Sequence, residues 1–190
     1  MNLDQSYWET KYRNHQTGWD IGGVSPQIQI YFKALMEKNQ RILIPGCGNG
    51  YEAIRLGQSG FKDITVIDLA EAPLSHIKNQ KLGIKTIQGN FFQLEDQFDL
   101  IIEQTFFCAL DPTFRQQYVN KMAELLKPKG KVAGLLFNTE FDRMGPPFGG
   151  NIAEYQNLFE GKFDIITLRP ALLSIKPRLG NEVFFEFQKK

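Results

Sequence analysis

Three glycines at alternate positions, Gly46, Gly48 and Gly50, follow the apolar run Ile42-Leu43-Ile44-Pro45 and precede Tyr51-Glu52-Ala53-Ile54. A strand that ends in such a turn and opens into a helix lets a ligand approach bare backbone, because no Cβ stands in the way. A dinucleotide fingerprint, GxGxxG, would need a glycine at position 51; Tyr51 stands there, which argues against a pyrophosphate-bearing ligand. Taken alone, the loop also fits plain chain geometry. Asp68 lies 18 residues beyond Gly50, at the end of the next apolar run, where a carboxylate can accept hydrogen bonds from both hydroxyls of a ribose. The same residue can cap a helix over 69–80, and the two roles are compatible.

Other chemistry is excluded by what the chain lacks. Its two cysteines, Cys47 and Cys108, offer neither a disulfide framework nor a thiolate cluster, and its two histidines, His15 and His76, sit in no ligand pattern, so no metal is expected. With 22 Lys and Arg against 21 Asp and Glu, the net charge of +1 supplies no field for nucleic acid or an anionic membrane. A small-molecule partner is the expectation, and a monomer is compatible with it. No apolar run is long enough to span a bilayer, and residues 1–5 lack the basic start and apolar stretch of a secretory signal. These features predict a cytoplasmic protein.

Positioning the loop and Asp68 requires a framework, and the patterning supplies one. From residue 41 onward, short runs rich in β-branched residues alternate with helical stretches, the signature of parallel strands buried on both faces. Strands are predicted over 41–44, 64–67, 84–87, 98–102 and 131–137, with 163–168 and 182–187 forming an antiparallel hairpin at the end of the sheet. The clearest helix is 111–127, with Asp111 to cap it, Pro112 in its first turn, and Phe114, Tyr118, Met122 and Leu125 at helical spacing. Two further helices, 4–12 and 26–36, precede the sheet and flank a glycine-containing segment, 17–25. At 190 residues the chain reads as one domain: a helical cap over 1–38 and a core over 39–190.

Several segments then carry a resemblance. Tyr7-Trp8 through Thr17-Gly18-Trp19-Asp20-Ile21-Gly22, Ile44-Pro45-Gly46-Cys47-Gly48, Thr105-Phe106-Phe107-Cys108-Ala109-Leu110 and Gly145-Pro146-Pro147-Phe148 occur in the order found in the thiopurine S-methyltransferase superfamily. The chain most resembles the thiol and halide methyltransferase branch of that superfamily. The resemblance implies an α/β fold, the class I methyltransferase Rossmann-like three-layer sandwich, with a mostly parallel seven-stranded sheet, a C-terminal antiparallel hairpin and an N-terminal helical cap. It implies S-adenosylmethionine as cofactor, with its methionine and ribose portion at Gly46 and Gly48. The aromatic leader would fold over that cofactor through Trp8 and Trp19, and through Tyr12 where the family commonly has a second Trp. Trp8 and Tyr12 lie four residues apart on one helical face, which suits this role and equally suits stapling the leader to the sheet.

Asn90 stands where the family often has Asp; its amide oxygen would meet the adenine amine, with Phe91 against the ring, although Phe91 and Phe92 also read as plain core. Gln104 stands where the family often has Tyr, and keeps hydrogen-bonding ability without a ring. The acceptor pocket is expected over the strand ends, lined by Phe106, Phe107 and Trp19 and covered by 139–150, including Phe148. Arg143 in that loop is either an anchor for an anionic acceptor or a solvated charge. Aromatic walls favour soft acceptors such as thiols, sulfide or halides, and no catalytic base is obligatory, since a thiol of pKa ~8.5 is partly ionised near neutrality. Gly145-Pro146-Pro147-Phe148 superficially resembles the motif of nucleic-acid amino-methyltransferases. It lacks that motif's polar first residue, however, and follows the fifth strand rather than the fourth. A nicotinamide oxidoreductase is disfavoured by Tyr51, and a non-catalytic protein that keeps the cofactor site stays open.

Overall fold

Ile42, Leu43 and Ile44 are apolar at consecutive positions, a pattern that a strand can bury only when both its faces are covered. The computed structural model describes residues 3–190; Met1 and Asn2, part of the start read above as non-secretory, lie outside them. In it these residues form β1 (Arg41–Pro45), which pairs in parallel with β2 (Asp63–Asp68) and β4 (Phe98–Gln104). β3 (Lys85–Gln88) extends one side in parallel, and β5 (Leu126–Phe137) the other. β7 (Glu182–Lys189) then runs antiparallel between β5 and β6 (Phe163–Pro170), giving the seven-stranded order β3-β2-β1-β4-β5-β7-β6.

Helices cover both faces. Leu43 and Ile101 point to the face where α5 (Arg115–Leu125) and α6 (Ile152–Phe159) bury Tyr118, Met122, Tyr155 and Phe159. Ile42, Ile44, Leu100 and Ile102 point to the opposite face, against α2 (Pro26–Ala34), α3 (Tyr51–Gln58) and α4 (Glu71–Asn79). This is the three-layer sandwich expected from the sequence, with the antiparallel hairpin at the predicted end. The first helix, α1 (Gln5–Arg13), buries no residue and begins where the Asp4 carboxylate accepts from the Tyr7 N–H.

The helix predicted over 111–127 is shorter. Asp111 caps a 3-10 turn over Pro112–Phe114, and α5 starts only after it. The helix stops at Leu125 because Leu126 already pairs with Phe98, and Lys127 bonds Asp99 at 2.8 Å, so the strand predicted over 131–137 begins five residues early. α2 likewise ends at Ala34, two residues short, where Leu35 turns extended.

Because β1 lies between β2 and β4, the chain builds outward through β2 and β3, then returns to build β4 and β5. Ligands bind at such a switch point, beyond the carboxyl ends of the strands. The end of β4 is held by Glu103, which is 0 % exposed. Its Oε1 accepts from the N–H groups of Phe106 at 2.8 Å and Phe107 at 2.9 Å, and its Oε2 from the Tyr118 hydroxyl at 2.6 Å. These bonds hold Thr105 at a φ of 60°, in the left-handed region that β-branched residues avoid. They also open the 3-10 turn Phe107–Ala109. On the adjoining strand only glycine fits at 134, since a Cβ there would stand 1.9 Å from the Glu103 carbonyl oxygen.

Two expectations follow from this joint. Gly134→Ala should cost about 2 kcal/mol or more through overpacking, lowering the calorimetric Tm by roughly 4–8 °C. Burial pushes the Glu103 carboxyl from its ordinary 4.5 up to about 7, so the folded chain holds that proton more tightly than the unfolded one. The stability this provides is complete below the unfolded pKa and is lost as pH rises through about 7. The difference in urea-unfolding free energy between wild type and Glu103→Gln should therefore change in the destabilising direction for wild type between pH 5 and 7.5; a constant difference would refute the assignment.

Candidate functional site

The carboxyl ends of β1, β2 and β4 open into one cleft of about 990 Å³. Its floor is the glycine loop. Gly46 and Gly48 adopt φ of 56° and 51°, and a Cβ on Gly46 would fall 2.3 Å from the Phe106 ring, so the end of β1 and the loop after β4 touch only because residue 46 has no side chain. Beside the loop, Asp68 ends β2. Its Oδ2 accepts from the Gly48 N–H at 3.2 Å and its Oδ1 from the Ala70 N–H at 3.0 Å, so it braces the loop and the entry to α4 together. Burial raises its carboxyl to about 6 despite these bonds. Hydrogen-bond donors arriving from a ligand would favour the charged form and lower that value.

The leader arches over the cleft. Trp19 packs edge-on against both Trp8 (5.4 Å between centroids) and Tyr12 (5.6 Å), and all three rings line the cleft. Three polar ties fix this arch. Glu9 accepts from the Glu71 N–H at 2.6 Å, Asp20 accepts from the Asn49 amide at 2.5 Å and the Tyr51 hydroxyl at 3.2 Å, and Arg178 donates to the Trp19 carbonyl at 2.7 Å.

On the β3 side, Asn90 and Phe91 both line the cleft. The Asn90 oxygen already accepts from the Phe92 N–H at 2.9 Å, capping a 3-10 turn over Phe91–Gln93, so only its second lone pair and its amide N–H groups face a ligand. Phe91 is both core and lining: it is buried, and its ring meets Phe106 edge-on at 5.1 Å. Gln104 reaches the cleft with a buried Oε1 that finds no hydrogen-bond partner among the described residues, an acceptor left open for a ligand donor.

Phe106, Trp19, Phe137 and Phe141 also line the cleft, the last two in edge contact with each other at 4.9 Å. Arg143 lines the rim, exposed, with its guanidinium 5.4 Å from the Phe141 ring. Two predicted wall residues are displaced. Phe107 is 1 % exposed and turns inward, because the 3-10 turn after Glu103 aims it between Tyr118, Tyr155 and the Arg115 guanidinium. Phe148 is tied by its N–H to the Cys108 carbonyl at 2.7 Å, and Pro146 and Pro147 line the cleft in its place.

Sequence reasoning gave no role to Asp20, Glu52, Glu103 or Arg178. A charge inside the apolar run 98–104 and another in the buried face of α3 were signals for Glu103 and Glu52. Arg178 had none: it comes from the β6–β7 connection and is held by Glu182 at 3.3 Å and the Phe137 ring at 5.4 Å. Among the described residues, no group of three or more His, Cys, Asp or Glu is placed to hold a metal ion, and no helix is long and apolar enough to cross a membrane.

The chain matches the thiopurine S-methyltransferase family over residues 3–181. It is 30% identical to the probable thiol methyltransferase 2 of Arabidopsis thaliana, across 96% of this chain and 84% of that one. It is 26% identical to thiocyanate methyltransferase 1 of Brassica oleracea, across 98% and 86%. Among solved structures, the 1,6-didemethyltoxoflavin-N1-methyltransferase of Burkholderia thailandensis, crystallised with 1,6-didemethyltoxoflavin and S-adenosylhomocysteine, has a TM-score of 0.79. Its sequence identity is 18%, over 98% of this chain and 87% of that one. The sheet order and the strand-end cleft agree with these matches: the chain belongs to the thiopurine S-methyltransferase family and is an S-adenosylmethionine-dependent methyltransferase.

Proposed function

We propose that the methyl acceptor is a small soft nucleophile, a thiol, sulfide, halide or related anion, taken up at the aromatic end of the cleft. The observation that carries this reading is the aromatic lining: Trp19, Phe106, Phe137 and Phe141 all line the cleft, with the Arg143 guanidinium beside Phe141. Aromatic walls suit polarisable sulfur and halide, and the Arg143 guanidinium favours an anion. Relatives named for thiol and thiocyanate methylation support the same class.

The cofactor end fits the group it is read to hold. Gly46 and Gly48 would leave the backbone bare for the amino-acid chain, Asp68 would take the ribose hydroxyls, and Asn90, Phe91 and the open Gln104 oxygen would meet the base; all of them line the cleft. Trp8, Tyr12 and Trp19 would close over it from the leader. When bound, S-adenosylmethionine would supply an activated methyl group on a sulfonium, the sulfur–methyl bond breaking as the bond to the acceptor forms. The chain's share of that reaction is alignment and exclusion of water. An anionic acceptor and a cationic donor cancel as the methyl moves, so a dry aromatic wall favours the step more than a dedicated base would. The proposal takes the chain as one domain, residues 3–38 capping a core over 39–190, with a small-molecule partner and no nucleic acid or membrane. A cytoplasmic setting suits the two unpaired, buried thiols Cys47 and Cys108.

A turnover screen measuring S-adenosylhomocysteine release tests the acceptor class. Thiols, sulfide, iodide and thiocyanate should be methylated and a simple amine should not; turnover of the amine alone would overturn the proposal. In titration calorimetry, Asp68→Ala should weaken S-adenosylhomocysteine binding about tenfold to a hundredfold, as two lost hydrogen bonds to a charged group require, while the fold survives. Unchanged affinity would remove Asp68 from the ribose site.

A further inference from the structure

Glu52, in the first turn of α3, is 5 % exposed yet lines the cleft. Among the described residues, no other residue donates a hydrogen bond to its carboxyl group; the donor it meets is its own backbone N–H. A buried carboxyl left in that condition must either stay protonated or receive a donor from a ligand. Its surroundings favour a cation. Asp20 faces it from the leader loop and Arg178 from the β6–β7 connection, with Cys47 and Tyr51 beside it. Arg178 is the single cation of this group, and it is already bound to Glu182 and the Trp19 carbonyl.

The position along the cleft narrows the choice of ligand group. The glycine loop joins the two carboxyl groups along the chain: Asp68 accepts from the Gly48 N–H, and Glu52 follows Gly50 in the first turn of α3. Asp68 marks the ribose, on one side of the loop. S-adenosylmethionine carries its primary ammonium at the opposite end of the chain that leaves the ribose. We propose that Glu52 is the binding residue for the α-ammonium of the cofactor's amino-acid end, an assignment that rests on the cofactor reading of the cleft.

Burial and the Asp20 charge raise the free carboxyl to about 7, Arg178 opposing them. Near neutrality the ligand-free site is therefore part protonated, and an arriving ammonium displaces that proton to solvent, which makes binding weaker as pH falls.

The test compares two ligands by calorimetry. S-adenosylhomocysteine carries the ammonium, whereas 5′-deoxy-5′-methylthioadenosine keeps the adenosine and sulfur but lacks the amino-acid end. Glu52→Gln should weaken the first about tenfold to a hundredfold and leave the second within about twofold, the second ligand also reporting that the variant is folded. In the wild type, the ratio of the two affinities should fall as pH drops from 8 to 6; the ratio cancels the titration of Asp68, which both ligands share. Equal losses for both ligands, or a pH-independent ratio, would overturn the assignment. So would unchanged S-adenosylhomocysteine affinity alongside slower thiol turnover with iodide turnover intact, because that result makes Glu52 a proton acceptor instead. Wild-type protein that binds neither ligand would overturn the cofactor reading and this assignment with it.

Discussion

One wall of the cleft depends on one buried carboxyl group, that of Glu103. Glu103 leaves water entirely, which costs several kcal/mol for an ion in a protein interior, and three hydrogen bonds offset only part of that cost, so the carboxyl stays raised to about 7. Those bonds force Thr105 into the left-handed region, stand the Phe106 ring over Gly46 and turn Phe107 into the core. Phe106 then supports Phe91, and Gly46 leads into the loop that Asp68 braces. A chain of contacts thus runs from β4 through β1 to β2 and β3, and each contact is made by a residue at a strand's carboxyl end. Loss of the carboxylate would release the wall and the floor of the site together.

The two ends of the sheet use charge in opposite ways. At the amino ends, Arg41 bonds Asp96 and Asp63, and Lys127 bonds Asp99; the hydrogen bonds from Arg41 and Lys127 hold Asp96 and Asp99 below the ordinary carboxylate range. These are partly exposed pairs of modest worth, and they fasten the edges of the strands. At the carboxyl ends Asp68 and Glu52 are pushed up by burial, to about 6 and about 7; among the described residues no cation opposes this at Asp68, and the engaged Arg178 opposes it at Glu52. Satisfied charges hold the scaffold, and under-satisfied ones line the cleft, where donors from a ligand would complete them.

Much of this was legible in the residues. Consecutive apolar positions in β1, β2 and β4 announce a doubly covered parallel sheet, and Gly46, Gly48 and Asp68 sit where such a sheet places a nucleoside. Phe106 and Phe107 mark the limit. They are adjacent and chemically identical, and only the turn imposed by Glu103 decides that one faces the cleft and the other the core. Asn90 shows the same limit from another direction, since its oxygen is taken by the turn it caps. Arg178 and Trp19 are 159 positions apart in sequence, and no local pattern signals their contact. Side-chain direction inside an irregular turn and pairing across long separations are tertiary outcomes, and periodicity carries neither.

The leader is built differently from the rest. α2 buries Ile28 and Phe32, but α1 buries no residue at all, so the hydrophobic anchorage of this segment begins only after the aromatic arch. Trp8, Tyr12 and Trp19 are half-buried because their remaining surface is the cleft itself. The arch is held to the core by the Glu9, Asp20 and Arg178 ties and by edge contacts between its rings. A ligand that fills the cleft would cover exactly the aromatic surface that the free protein leaves open. By linkage, whatever binds better when the arch is closed also stabilises the closed arch. The sparse burial of α1 therefore makes the docking of the leader and the occupancy of the site mutually dependent, with the rigid strand ends as the fixed partner in both.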